Sequence, residues 1–161
     1  LRYWTLCLHP PVVAIEIVRV DPAADRGLAE QILAVQKSSY AVEARLIGDK
    51  RIPLLHESVH DLCAAQVHWL VAQDQHEILG AAAWSEAEID RLVVAPHAHR
   101  RGIGRALVGT MLESIVAQRV RVATGRDNPP ARTLYEAFGF VHTEDTQVLP
   151  GLWLARYELV R

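Results

Sequence analysis

The sequence predicts one mixed α/β domain, on three observations. Apolar residues alternate with period 2 in some stretches and recur at helical spacing in others, in the order β-α-α-β-β-β-α-β-α-β-β. Of the 161 residues 50% are hydrophobic and 22% charged, the balance of a chain that buries a core rather than staying disordered. No Pro/Gly/Ser-rich linker, repeat or low-complexity stretch divides it, and its length suits a single core.

Residues 13–20 read as the first strand. Asp21-Pro22 then starts a helix in which Leu28, Ile32, Leu33, Val35 and Gln36 recur at helical spacing. A second, short helix is expected near residues 56–65, after Pro53. Residues 67–73 and 78–85 flank the polar Asp74-Gln75-His76-Glu77, the pattern of an antiparallel hairpin. Glu88–Val94 is the next strand, followed by a glycine-containing loop and a helix to about Gln118. Val120–Thr124 is a short strand. Asn128 then caps a helix that has Pro129 at its first position and Gly139 at its end. Phe140–Thr143 and Leu152–Val160 complete the chain as two strands around a Pro150-Gly151 turn.

The formal net charge of −2 gives no support for a nucleic-acid or anionic-membrane partner. Two cysteines, Cys7 and Cys63, cannot make a disulfide framework. With no Cys/His cluster of ligand spacing, no metal is expected. No run approaches the ~18 apolar residues of a membrane span, and the first residues lack the pattern of an export signal, so a soluble, cytoplasmic protein is expected. Residues 1–12, ending near His9-Pro10-Pro11, read as an extension outside the fold.

Basic character is local, around residues 99–105. Arg100, Arg101 and Arg105 gather where a helix starts, a place where the macrodipole already concentrates positive charge. A bound polyanion would resolve that conflict. Gly102 and Gly104 leave the backbone open to close approach, and the free N–H groups of a first helical turn point outward. Val94-x-Pro96 followed by His99-Arg100-Arg101-Gly102-Ile103-Gly104-Arg105-Ala106 resembles the acyl-CoA pyrophosphate signature of the GNAT superfamily of N-acyltransferases, V-x-P-x-x-[R/Q]-x-x-G-x-[G/A]. One position departs: His99 stands where Arg or Gln is usual, which touches a side-chain contact but not contacts from backbone amides.

Asn128-Pro-Pro-Ala131-Arg-Thr-Leu134-Tyr135-Glu-Ala-Phe138-Gly139-Phe140 resembles the second signature of that superfamily, N-x-x-A-x-x-L-Y-x-x-x-G-F. The resemblance covers residues 13–161. It implies a central, mostly antiparallel sheet with helices on both faces, and acetyl-CoA as co-substrate, held by Leu92, Val93, Val94, residues 99–106, Asn128 and Tyr135. By the same resemblance the N–H groups of Leu92–Val94 hold the pantetheine arm and polarise the thioester, and the Tyr135 hydroxyl protonates the departing thiolate. Spacing alone offers Tyr135 a packing role as well, since with Ala131, Leu134 and Phe138 it falls at i, i+3, i+4 and i+7 on a helix face that a core would bury.

Acyl transfer to an amine also needs the amine neutral. An ammonium of pKa ~10.4 leaves about one free amine in 2,500 at pH 7, a penalty of ~4.6 kcal/mol. A carboxylate can accept that proton, directly or through water. Glu88 matches the place of the glutamate base in the histone-acetylating branch of the superfamily; Asp90, on the same strand face by period 2, and water are its competitors. No acyl-enzyme is needed, and Cys63 has no neighbour that would activate it. Residues 36–61, with Tyr40, Glu43, Arg45, His56, Glu57, His60 and Asp61, fall in the segment that by family resemblance walls the acceptor site. Together with Glu86 and Glu88 its carboxylates suit a cationic amine, of a small molecule or a peptide.

The expected activity is therefore an acetyl-CoA-dependent N-acetyltransferase, as a monomer or a homodimer. The alternative is a non-catalytic acyl-CoA sensor, which would keep the loop but have no need of Tyr135 or a base. A dinucleotide-binding oxidoreductase fails on detail, since Leu107 stands in place of a third glycine and no acid ends the strand near Thr124.

Overall fold

The computed structural model describes residues 14–75 and 77–161; the extension expected at residues 1–12 and His76 of the hairpin turn lie outside it. The strands are β1 (Glu16–Val20), β2 (His68–Gln73), β3 (Ile78–Ser85), β4 (Glu88–Val94), β5 (Arg119–Gly125), β6 (Val141–Leu149) and β7 (Leu152–Val160). They form one seven-stranded sheet in the order β1-β2-β3-β4-β5-β7-β6. Every neighbouring pair is antiparallel except β4 and β5, which run parallel and pair only at Glu88 opposite Arg121. The fold is the mixed α/β, mostly antiparallel arrangement that the element order predicts.

The helices are α1 (Arg26–Ile47), α2 (Val59–Ala64), α3 (Ile103–Ser114) and α4 (Pro129–Ala137). Two cores lie on opposite faces of the sheet. On one, Leu107, Val108 and Met111 of α3 and Tyr135 of α4 pack on Leu70, Leu79, Val120 and Tyr157. On the other, Ala29, Ile32 and Tyr40 of α1 and Leu62 of α2 pack on Trp69, Val71, Ala81 and Val93. Alternation along β2 and β3 divides their side chains between the two layers, which is why these central strands read as near-continuous apolar runs.

Several boundaries differ from expectation for visible reasons. Asp21-Pro22 caps only a short 3-10 turn, Pro22–Ala24; α1 begins at Arg26 with its own cap, the Asp25 carboxylate accepting from the Leu28 N–H. Helix α3 stops at Ser114 instead of near Gln118, and Ile115 is already extended. The Arg161 guanidinium takes over there, donating to the carbonyls of Leu112 (2.7 Å), Ala117 (2.8 Å) and Ile115. A cation at a helix C-terminus satisfies orphan carbonyls and opposes the macrodipole, and this one comes from the end of β7. Strand β6 runs to Leu149, beyond the expected Thr143, because it pairs along β7 up to Leu149 opposite Leu152.

Candidate active site

The parting of β4 from β5 is the centre of the site. By the alternation of an antiparallel pair, with the Ala95 N–H donating to Leu79 (2.8 Å), Val93 and Ala95 turn their backbone groups to β3. Leu92 and Val94 turn theirs to the gap. Of the three strand residues expected to hold the cofactor arm, Leu92 and Val94 thus have N–H groups aimed across the opening, while that of Val93 is turned into the sheet. The Val94 N–H meets Ser39 Oγ of α1 at 3.4 Å, and the Val94 carbonyl lies 3.3 Å from His99 Nε2, which donates in its Nε2–H tautomer. His99, the departure from the signature, folds back onto the end of β4.

Beyond Val94, Pro96–Ala98 form a 3-10 turn and the chain enters α3 through two left-handed residues, Arg100 at φ 63 and Gly102 at φ 75. Gly102 is the N-cap of α3 and offers no side chain to its first turn. The first backbone bond of the helix is Ala106 N–H to the Gly102 carbonyl (3.0 Å), which leaves the N–H groups of Ile103, Gly104 and Arg105 outside the helical ladder. Arg100 and Arg101 precede the helix, only Arg105 lies within it, and all three are exposed. An L residue held at positive φ costs about 1–2 kcal/mol, and such strain gathers at functional loops. The arrangement suits a phosphate.

Gly104 sits where an added Cβ would meet Leu134 Cδ2 at 3.4 Å, so α3 starts against the flank of α4. Asn128 caps α4 by accepting from the Ala131 N–H at 3.4 Å. Tyr135, two turns beyond that cap, is 4% exposed and packs edge-on against Phe140 with ring centroids 5.6 Å apart. Burial, and then the nearby Glu43 carboxylate, raise its pKa. The phenol therefore stays protonated at neutral pH.

From the other face, α1 presents Tyr40, Glu43 and Ile47. Tyr40 is buried, and burial, followed by Glu43, raises its pKa; Arg91, Tyr135 and Asp90 complete its charged and titratable surroundings. Burial also raises the Glu43 carboxyl, against the opposing pull of hydrogen bonds from the Asn128 side chain and the Gly125 backbone. Side chains from the layers on the two faces of the sheet feel one another here, where β4 and β5 part.

The two base candidates on β4 have different fates. Glu88 is exposed at the fork of the gap and lines a groove of about 610 Å³ together with Arg121, Glu144, Arg156 and Glu158. Asp90 does not share its face by simple alternation. Ala83 pairs with Arg91 and Trp84 with Ile89, so Asp90 is the extra residue of a β-bulge and breaks the period. Its carboxylate is held by Arg91 Nε at 2.6 Å. Arg91, 5% exposed, also donates to Glu57 at 2.6 Å and to Gln36 Oε1 at 3.0 Å, and its guanidinium stands 4.9 Å over the Trp69 ring. Gln36 in turn donates to Glu57 (2.6 Å) and to the Leu54 carbonyl (3.0 Å). This network fastens α1 and the segment before α2 to β4. Nothing in the sequence pattern singles out Arg91, and it offers Glu43 only a place in the acceptor wall.

Cys63 Sγ donates to the Pro22 carbonyl at 3.6 Å, away from the gap. Among the described residues no group of His, Cys, Asp or Glu is placed to hold a metal, and no helix is long and apolar enough to cross a membrane.

Comparison with known proteins points to one family. A family model described as an acetyltransferase (GNAT) domain matches residues 52–161. A UPF0157 protein, YqkA, of Bacillus subtilis is 34% identical over 137 residues, 82% of this chain; the chain spans 40% of that relative's length. Among solved structures, an acetyltransferase from Thermus thermophilus has a TM-score of 0.69 at 17% identity, covering 93% of this chain and 99% of the other. The ribosomal-protein-S18-alanine N-acetyltransferase of Escherichia coli has a TM-score of 0.70 at 14% identity, covering 91% and 94%. With the match running from Ile52 to Arg161 and the same fold in both structures, the chain belongs to the GNAT acetyltransferase family.

Proposed function

We propose that this chain moves an acetyl group from acetyl-CoA to a primary amine of a small molecule or peptide, by direct attack of the amine on the thioester. The observation that carries the reading is the gap between β4 and β5, with the Leu92 and Val94 backbone on one wall and Tyr135 entering from the α4 side. The pyrophosphate fits the start of α3, where the N–H groups of Ile103, Gly104 and Arg105 and the three exposed arginines offer donors and charge. Threading the pantetheine arm into the gap would bring its thioester past Leu92 and Val94, whose N–H groups polarise a carbonyl oxygen as it gains charge. When the C–S bond breaks, a neighbouring neutral phenol can donate to the sulfur. The buried, protonated Tyr135 is in the state that role requires.

The acceptor enters from the opposite face. Glu88 and the groove around it, with carboxylates of Glu144 and Glu158 against guanidiniums of Arg121 and Arg156, form a charged approach to the gap. Leu92 lies roughly 13 Å along β4 from Glu88 at about 3.3 Å per residue, so Glu88 lines the acceptor's approach and does not reach the reacting amine. A thiol-release screen of acetyl-CoA against amines and peptides tests the reading. Release with at least one amine is expected. Saturable CoA binding with no release from any acceptor would make the domain an acyl-CoA sensor instead.

A further inference from the structure

We propose that Glu43 is the group that takes the proton from the acceptor's ammonium, placed by α1 across the gap from Tyr135. This rests on the acetyltransferase reading above. One face of α1 spans the opening from end to end. Ser39 Oγ receives the Val94 N–H at the end of β4. At the end of β5, Glu43 Oε1 and Ile47 Cγ2 each stand 3.2 Å from where a Cβ on Gly125 would lie. Glu43 thus occupies the acceptor side of the gap, while Tyr135 belongs to the opposite layer. Each is nonetheless close enough for the Glu43 charge to raise the Tyr135 pKa.

Among the described carboxylates near the gap, Glu43 is the one held by neutral donors yet inside it. Glu57 and Asp90 are locked to Arg91 at 2.6 Å, and Glu88 stands exposed at the fork. The Glu43 carboxylate receives the Asn128 side chain and the Gly125 backbone and makes no ion pair among the described residues. Its charge is therefore available to a cation. Burial raises its pKa, which brings its proton affinity closer to neutral pH. The titratable groups that feel its charge are Tyr40 on α1 and Tyr135 on α4, and Tyr40 in turn feels Asp90 and Arg91 on β4.

The steps balance. The ammonium gives one proton to the Glu43 carboxylate and becomes an amine. Its lone pair forms the C–N bond to the acetyl carbon, the C–S bond breaks, and the electron pair leaves on sulfur. Tyr135 protonates that sulfur and is reprotonated by the second proton from the nitrogen. Glu43 then releases its proton to solvent, which restores the starting state.

The test uses the amine found by thiol release and follows kcat/KM against pH for wild type, Glu43→Gln and Glu88→Gln. Glutamine keeps an acceptor for the Gly125 N–H, so the fold is preserved while the titrating group is lost. The wild-type profile is expected to have an acidic limb above the ordinary carboxylate range. Glu43→Gln should lower kcat/KM by ~10² or more and lose that limb, with the KM for acetyl-CoA unchanged. Glu88→Gln should keep it. A limb and rate that survive in Glu43→Gln overturn the proposal and leave the acetyltransferase reading standing; no release by wild type with any amine overturns both. Should Glu43→Gln be unfolded by circular dichroism, Glu43→Asp decides, because it withdraws the carboxylate by one methylene. A slower rate at unchanged acetyl-CoA KM supports the assignment, and wild-type rates defeat it.

Discussion

Buried charge is worth most at Arg91. Its guanidinium is desolvated, which works against its charge, yet hydrogen bonds and attraction from Asp90 and Glu57 prevail and raise its pKa. Arg91→Met would leave the 9%-exposed Glu57 side chain without its cation, with only Gln36 among the described residues still donating to it. A loss of about 3–5 kcal/mol is expected, read from urea unfolding. Arg26 and Glu30, paired at 3.1 Å on the exposed face of α1, make the contrast: an exposed i,i+4 pair is worth ~0.3–0.5 kcal/mol. For Tyr135→Phe the ring that meets Phe140 remains and only the hydroxyl goes. Turnover should fall by ~10² with little change in the KM for acetyl-CoA; wild-type turnover would reduce Tyr135 to a packing residue. Glu43 also leaves a mark on stability. A carboxyl whose pKa is raised on folding binds its proton more tightly in the folded state, so stability is lost as pH rises from the unfolded value towards the raised one. Glu43→Gln should therefore gain in Tm over wild type from pH 4 to pH 8. A difference that stays flat across this range would show that the carboxyl titrates alike in both states.

Helix α3 is placed by what lies beneath it. Gly80 on β3 has no side chain, and a Cβ there would stand 2.9 Å from the Val93 carbonyl, 3.0 Å from Ile103 Cγ2 and 3.1 Å from Leu107 Cδ1. The first turn of α3 therefore rests directly on the strand, while Arg161 anchors the other end of the helix through the carbonyls of Leu112, Ile115 and Ala117. The end proposed to take the pyrophosphate is fixed by packing, not by a capping side chain. Gly80→Ala must push α3 outward or shift the strand, at a cost of about 1–3 kcal/mol, with acetyl-CoA affinity falling as well. Unchanged denaturation midpoint and affinity would mean that α3 does not depend on this contact.

Across the whole molecule, the single parallel pair divides the labour of the two faces. Among the described strands all other pairs close the sheet, and the two layers meet between β4 and β5. Cofactor and acceptor can then approach from opposite sides and react in the plane of the sheet. Acetyl-CoA bound to α3, β4 and α4 should stabilise the folded state by mass action, by ~2.7 kcal/mol at a hundred times its Kd. Thermal shifts that grow with acetyl-CoA or CoA concentration, and none with NADH, are expected. Saturation with NADH and no response to CoA would overturn the assignment of the loop.

Local chemistry was legible in the sequence. Strand alternation, the proline and asparagine that open α4, and the glycines that let the chain turn into α3 act within a few residues, and the caps and turns of α3 and α4 lie where the pattern put them. The signature loop and the helix carrying Tyr135 belong to this class. Even Glu43 left a trace: Ile32, Gln36, Tyr40, Glu43 and Ile47 follow one stripe of α1, where a glutamate among core positions is out of place. What it is out of place for could not be read there, because its neighbours Gly125, Asn128 and Tyr135 come from β5 and α4. The same holds for the bulge at Asp90, the Arg91 network and the early end of α3, which depends on Arg161. Local backbone preference and period are enough to set the elements and the loop that suits a phosphate. The parting of β4 from β5, and with it the meeting of Tyr135 and Glu43, was decided only by the tertiary structure, because strand pairing and layer packing join residues far apart in the chain.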